Sequence, residues 1–348
     1  MGKAIITLDN GMTAETSLCP VIVSASRATD IPAFYADWFF YRLQRGYSVW
    51  VNPFNNAKHY VSYHNTRFIV FWSKNPRPLM QHLDELDRRS IGCYIQYTLN
   101  DYDGDGLEKK VPPLSERIDT FKRLVDRLGI GHVVWRFDPL VLTDNINENV
   151  LLEKIERVGD QLKGYTEKLV FSFADLEGYR KVKRNLEEAN VNYLEWDEQR
   201  MRDFASKLVE LNRRWNYRLA TCGEKIDLAG VEHNHCVDHN LIIRLAHHDK
   251  ALMDYLGVTK TLVQRDMFGN INLPDGAIML DDGTAAIQKR KMPDKGQRLA
   301  CGCMVSKDIG QYNTCPHQCE YCYANASKQL AMTNWESHLS SPKGEQIA

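Results

Sequence analysis

The sequence predicts an α/β protein folded as a TIM-like (β/α) barrel. Three observations carry that prediction. Apolar runs of strand length alternate with segments of helical period, the alternation recurs seven times between residues 20 and 222, and the runs are apolar at consecutive positions, as in parallel strands buried on both faces. A barrel of eight such units takes about 250 residues, so a chain of 348 residues accommodates one barrel with additions.

The elements follow in order. Residues 4–8 and 12–17 flank Asp9-Asn10-Gly11, a turn that supplies positive φ, so they read as a hairpin. Strand-like runs occupy 21–25, 47–51, 68–72, 92–98, 132–137, 168–173 and 217–222. Helical periodicity occupies 34–43, 79–88, 115–128, 149–162, 179–189 and 197–212. Between 51 and 68 no helical pattern exists, and a second apolar run at 59–63 predicts an extra hairpin. After 222 the alternation stops. One helical stretch at 240–256 precedes a Gly- and Asp-punctuated region of turns and short strands. Four segments result: an N-terminal hairpin (1–19), barrel units (20–222), an insertion with a candidate auxiliary metal or cluster site (223–298), and a cysteine loop with a final barrel unit (299–348).

Charge and leader signals narrow the function classes. Lys and Arg number 44 against 45 Asp and Glu, a formal net charge of −1. No basic surplus therefore drives nucleic-acid binding. Residues 1–6 lack the basic start and apolar core of a secretory leader, and no apolar run approaches the roughly 20 residues of a membrane span. A cytoplasmic location without a membrane partner is expected. In a reducing compartment the nine cysteines are expected to serve metal or redox chemistry rather than disulfides.

The strongest motif is Cys315-Pro316-His317-Gln318-Cys319-Glu320-Tyr321-Cys322, a C-x3-C-x2-C spacing with an aromatic before the third cysteine. Three thiolates on one tight loop hold three irons of a 4Fe-4S cluster and leave the fourth open. The alternative is a zinc knot with His317 as fourth ligand. Cys222, Cys236, Cys301 and Cys303 make a further four, the number that saturates a second 4Fe-4S cluster or a zinc ion. Gly302 gives Cys301-Gly302-Cys303 the freedom to turn both thiols to one site. His233, His235 and His239 read as solvated or as caps of the following helix. Cys19 and Cys93 are isolated and read as core. At barrel strand ends, Ser24, Ser26, Arg27, Asp30, Lys74 and Arg136 are candidate site residues. Arg136, inside an apolar run, needs a carboxylate partner.

The cysteine motif resembles the radical SAM superfamily. The stretches 24–32 (Ser-Ala-Ser-Arg-Ala-Thr-Asp-Ile-Pro), 52–54 (Asn-Pro-Phe), 71–76 (Phe-Trp-Ser-Lys-Asn-Pro), 135–139 (Trp-Arg-Phe-Asp-Pro) and 301–325 resemble an uncharacterised prokaryotic domain-of-unknown-function family that carries this motif at its C-terminus. The resemblance implies a radical-SAM-type, oxygen-sensitive enzyme that reductively cleaves S-adenosylmethionine (SAM) to a 5′-deoxyadenosyl radical and acts on an unknown substrate. It also implies a flavodoxin- or ferredoxin-type electron donor. The usual superfamily order places the triad after the first strand, so the late motif predicts a circularly permuted barrel. In it a strand at 299–305 precedes the cysteine loop, a helix at 324–332 follows, and 21–25 is the next strand. The usual Gly-Gly-Glu segment is missing. Ser24 to Asp30 take its place at the methionine end, with Arg136 or Lys74 pairing the carboxylate and Tyr321, Tyr323 and Asn325 beside the cofactor. Two competing expectations are an iron–sulfur electron-transfer or sensor protein without SAM chemistry, and a zinc-stabilised protein that modifies or binds nucleic acid.

Overall fold

The computed structural model describes residues 3–176, 178–265, 271–298 and 301–348. The chain opens on an antiparallel hairpin of β1 (Ala4–Thr7) and β2 (Thr13–Thr16), whose turn places Gly11 at positive φ. β3 (Ile22–Ala25) leads to α1 (Ile31–Phe34), capped by the Asp30 carboxylate, and to α2 (Ala36–Arg45). β4 (Tyr47–Val51) and β5 (Lys58–Ser62) pair antiparallel as a second hairpin. Next come β6 (Phe68–Ser73), α3 (Leu83–Arg88), β7 (Gly92–Thr98), α4 (Leu114–Leu128), β8 (Val133–Leu140) and β9 (Leu142–Thr143). They are followed by α5 (Glu148–Leu162), β10 (Lys168–Phe173), α6 (Arg180–Glu188), β11 (Tyr193–Leu194), α7 (Glu198–Asn212) and β12 (Arg218–Thr221).

The remainder departs from this rhythm. β13 (Glu232–His233), α8 (His239–Ala246) and α9 (Lys250–Leu256) precede five short strands, β14 (Val258–Leu262), β15 (Gln264–Arg265), β16 (Ile271–Asn272), β17 (Ile278–Met279) and β18 (Thr284–Gln288). β19 (Lys307–Asp308), the cysteine loop and α10 (Lys328–Ser340) complete the chain.

The expected barrel, permuted or not, is not what forms. Eight strands make one sheet in the order β13-β12-β10-β8-β7-β6-β3-β19. Its neighbours are parallel throughout, and its two edges, β13 and β19, do not pair with each other. Two physical reasons account for the open sheet. The run at 47–51, counted as a barrel strand, spends its ladder on β5 instead. The face that a barrel would turn inward is also already covered. Residues of one parity, among them Val23, Ile69, Ile95, Trp135 and Phe171, join the core with α2, α4, α5 and α7. Residues of the other parity, among them Ile22, Phe68, Val70, Tyr94, Val134 and Val170, pack with Ile242, Ile243, Leu252 and Leu256 of α8 and α9. Each such buried side chain contributes about 1.5–3 kcal/mol, and closure has no apolar face left to bury.

The chain entering the cysteine loop is also corrected. Of the strand expected at 299–305, residues 299 and 300 lie outside the described residues, and 301–305 hold an isolated bridge from Met304 to Pro293. The strand before the loop is β19, parallel to β3 with Lys307 opposite Val23. The helix after the loop starts at Lys328 because the Ser327 side chain caps it. No helix among the described residues is long and apolar enough to cross a membrane. In an open parallel sheet, ligands bind in the crevice beyond the C-terminal strand ends, which is where the candidate residues collect.

Candidate functional site

A cavity of about 640 Å3 opens at that end of the sheet, and all seven motif-grade cysteines line it. One wall is the loop that follows β19, bearing Cys315, Cys319 and Cys322. The opposite wall carries Cys222, just past β12, with Cys236, Cys301 and Cys303. All nine cysteines of the chain are free, and Cys19 and Cys93 are buried in the protein away from this cavity. A larger hollow of about 840 Å3 between β1 and residues 62–67 gathers no cysteine.

The triad loop is fixed from several directions. The Tyr35 hydroxyl donates to the Thr314 carbonyl, Asn325 Nδ2 donates to the Cys315 carbonyl at 2.9 Å, and Glu320 N donates to the Leu107 carbonyl at 3.0 Å. Asp30 is the main anchor. Its Oδ1 accepts from Ala33 N at 3.0 Å and from the Ser73 hydroxyl at 2.7 Å, while Oδ2 accepts from Lys74 N at 2.7 Å and from His317 Nε2 at 2.8 Å. His317 Nδ1 faces the Lys110 carbonyl at 3.2 Å. Both ring nitrogens are thus engaged by protein oxygens, and ligating a metal through either would break one of these contacts. The zinc knot with His317 as fourth ligand therefore conflicts with this arrangement.

Burial pushes the three triad thiols up from the ordinary thiol range, with Lys74 opposing it at Cys319 and the Asn325 and Ala324 N–H groups opposing it at Cys322. Lys74 belongs to a buried network. Its Nζ contacts Glu108 Oε1 at 2.7 Å and Tyr321 OH at 2.9 Å, and Tyr321 OH also donates to Glu108. Asn100 Nδ2 reaches both partners, at 3.2 and 3.0 Å, and Arg117 NH1 lies 3.4 Å from Glu108 Oε2. Burial raises the Glu108 carboxyl, but Lys74 and Arg117 outweigh it and hold the group below the usual carboxylate range.

The four thiols of the other wall touch one another. Cys222 Sγ lies 3.2 Å from Cys236 Sγ, and Cys303 Sγ accepts from the backbone of Cys236 at 3.2 Å and of Val237 at 3.3 Å. Thiol contacts also link Cys236 to Cys303 and Cys303 to Cys301. The Cys222 and Cys303 contacts, with the guanidiniums of Arg136 and Arg27, hold Cys236 well below the ordinary thiol value, and Cys222 is pushed up in turn. The Cys303 contact draws Cys301 down to about 6.

The predicted cofactor residues divide into two groups. Ser26, Arg27, Asp30, Lys74, Arg136, Tyr321 and Tyr323 line the cavity, whereas Ser24 and Asn325 lie behind it. Ser24 Oγ and Arg27 N both donate to Asp308 Oδ2, at 2.7 and 2.8 Å. Ser26 Oγ accepts from Ala28 N at 2.9 Å, and Tyr323 OH donates to the Arg27 carbonyl at 2.8 Å. Arg136 finds its carboxylate in Asp138, and its NH1 also lies 3.3 Å from Cys236 Sγ, which puts it at the second cysteine wall. Arg27 is the exception. Its guanidinium stacks over Trp72 at 5.0 Å, and its buried NH2 has no hydrogen-bond partner among the described residues.

Sequence reasoning missed Glu108, Asn100, Arg117 and Asp308. Glu108 lies in an aperiodic polar loop, and its one signal is that a lysine near a cysteine site needs a carboxylate. Asp308 ends a two-residue strand, too short to register as an apolar run.

Residues 22–324 match the family model described as "Domain of unknown function (DUF1848)". No curated protein matches the chain, and no solved structure does.

Proposed function

The chain belongs to the DUF1848 domain family, and from that premise we propose that it is an iron–sulfur enzyme of the radical SAM type. The observation that carries the reading is the convergence of two cysteine sets, distant in sequence, on one cavity at the strand C-termini that also holds a buried guanidinium nitrogen of Arg27 without a hydrogen-bond partner among the described residues. The donor set fits. Three free thiols from one loop suit a 4Fe-4S cluster with one open iron, and the engaged ring nitrogens of His317 count against a zinc ion in its place. Such a cluster supplies a low-potential electron to SAM.

The chain's own residues have defined tasks in this reading. Cys315, Cys319 and Cys322 hold the cluster, and the Ala324 and Asn325 N–H groups that face Cys322 tune its potential. Asp30 holds the loop in place through His317. The carboxylate of SAM goes to Arg27, because Lys74 and Arg136 already have Glu108 and Asp138 as partners. Cys222, Cys236, Cys301 and Cys303 hold a second 4Fe-4S cluster or a zinc ion. A ferredoxin- or flavodoxin-type protein delivers the electron. The cavity, at about 640 Å3, lies in the range of small-molecule sites.

Anaerobic reconstitution tests the reading through iron and sulfide counts, EPR of the reduced protein with and without SAM, and assay for 5′-deoxyadenosine. The expected result is an EPR signal perturbed by SAM together with 5′-deoxyadenosine on reduction. Zinc without iron overturns it, and a cluster indifferent to SAM makes the protein an electron carrier or sensor.

A further inference from the structure

The segment His233 to His239 contributes Cys236 to the cavity and otherwise has no part in the reading above. Its remaining donors form a cluster of their own. His235, Asp238 and His239 each present one ligand atom, and the three atoms lie within 4.8 Å of one another. Neither cysteine set gives a group of three or more among the described residues that closes to that spacing.

The cluster is held by the fold. Tyr94 and Gln96 of β7 donate to the Cys236 carbonyl at 2.6 and 2.9 Å, and Asp238 N donates to Tyr94 OH at 3.0 Å, so the turn entering α8 is tied to the sheet. Asp238 caps α8 through Oδ1 alone, accepting from Asn240 N at 2.9 Å and Leu241 N at 3.3 Å. The second carboxylate oxygen makes neither capping bond, and its charge offsets the positive helix end that would otherwise repel a cation. His235 lies against the one residue of the Cys301–Cys303 turn without a side chain: a methyl group built on Gly302 would come within 2.3 Å of His235 Nε2. All three donors are half-buried, so an ion can enter.

We infer that His235, Asp238 and His239 form a mononuclear site for a divalent first-row transition ion, separate from both cysteine sets. Two imidazoles and a carboxylate suit Zn2+ or Fe2+, and three protein ligands leave coordination open. His235 and Asp238 also line a cavity of about 190 Å3 bordered by Lys168, Arg218, Glu232 and Arg244, the last paired with Glu167, which gives that open position room for water or another small ligand. The site does not depend on the radical SAM reading.

The experiment is zinc titration of the full-length protein, wild type against Asp238→Asn and His239→Ala, with zinc-edge X-ray absorption. Asparagine keeps the helix cap while removing the ligand charge. The expected result is one zinc per chain beyond any taken by Cys222, Cys236, Cys301 and Cys303, with nitrogen and oxygen neighbours at about 2.0–2.2 Å. Asp238→Asn weakens it by at least about tenfold, at an unchanged melting temperature. Zinc affinity and stoichiometry equal to wild type in Asp238→Asn overturn the site, as does a shell made of sulfur alone. Should His239→Ala fail to fold, Asp238→Asn decides. None of these readouts involves SAM, so the site and the proposed function fail independently.

Discussion

The two cysteine walls of the cavity are made of the same side chain and behave in opposite ways. On the triad wall the thiols are all pushed up, Cys319 buried and Cys315 and Cys322 half-buried, with backbone N–H groups or Lys74 opposing the rise. On the opposite wall the thiols lean on one another, and those contacts draw Cys236 and Cys301 down while pushing Cys222 and Cys303 up. The cations differ as well. Lys74, paired with the buried Glu108, acts on Cys319, whereas Arg136, paired with Asp138, and Arg27 act on the thiols of the second wall. Burial thus keeps one wall inert until a metal takes its protons, while mutual contact primes the other wall for thiolate chemistry.

The largest test of this contrast is to remove one cysteine from each wall. Cys319→Ala is expected to abolish 5′-deoxyadenosine formation and to lose one cluster's iron. Cys236→Ala is expected to lose only the metal of the second wall and to keep the SAM-perturbed EPR signal of the first. Iron counts and EPR on the two variants check this, and equal losses in both would mean that the walls act as one site.

Next in size is Glu108→Gln. It leaves Lys74 buried without its carboxylate and Arg117 with Asp103 alone, and breaking a buried pair in this way costs about 3–5 kcal/mol. Urea denaturation measures it. Because the folded Glu108 carboxyl sits below its unfolded value, the contribution is present above pH about 4.3 and is lost as pH falls through the lower folded value. The variant should flatten that acid limb of the stability curve.

Thiol reactivity sharpens the contrast further. Cys301 is drawn down to about 6, whereas the triad thiols are pushed up from the ordinary thiol range. Alkylation at pH 7 followed by peptide mapping should label Cys301 at least about tenfold faster than Cys315 or Cys319. The rate at Cys301 should fall as pH drops through about 6. Uniform labelling would remove the difference between the walls.

How far each wall is legible in the sequence follows from how it is built. The triad comes from eight consecutive residues, so its spacing and its aromatic are visible directly. The second wall draws on 222, 236 and 301–303, and counting cysteines proposes it without saying what joins them. The sheet repeats this pattern. Runs such as 68–72 and 168–173 reveal their strands, because burial on both faces leaves a continuous apolar signature. Whether the sheet closes depends on what covers the face bearing Phe68, Val70 and Tyr94. The apolar residues of α8 and α9 that cover it carry no mark in the sequence naming their partner. Glu108 was hidden for a related reason: its neighbours are polar and aperiodic, and Lys74 and Tyr321, which require it, lie 34 and 213 residues away.

The smallest effect separates positioning from binding on the segment that joins the walls. Residues 26–30 reach the triad loop through Asp30 and the second wall through Arg27. Tyr323, next to Cys322, ties the two by donating to the Arg27 carbonyl at 2.8 Å. Tyr323→Phe removes that one hydrogen bond, worth about 0.5–1.5 kcal/mol when shielded. The ring is 46% exposed, so the lower end applies. The expected result is a melting temperature within a few degrees of wild type and SAM affinity weakened by no more than about threefold. Arg27→Gln, which removes the charge itself, should weaken SAM by tenfold or more, since hydrogen bonds to charged groups contribute about 1.5–3 kcal/mol. Isothermal titration of both variants ranks them. If Tyr323→Phe proves the more damaging, the hydroxyl contacts the ligand itself, and the carboxylate role assigned to Arg27 passes to the triad wall.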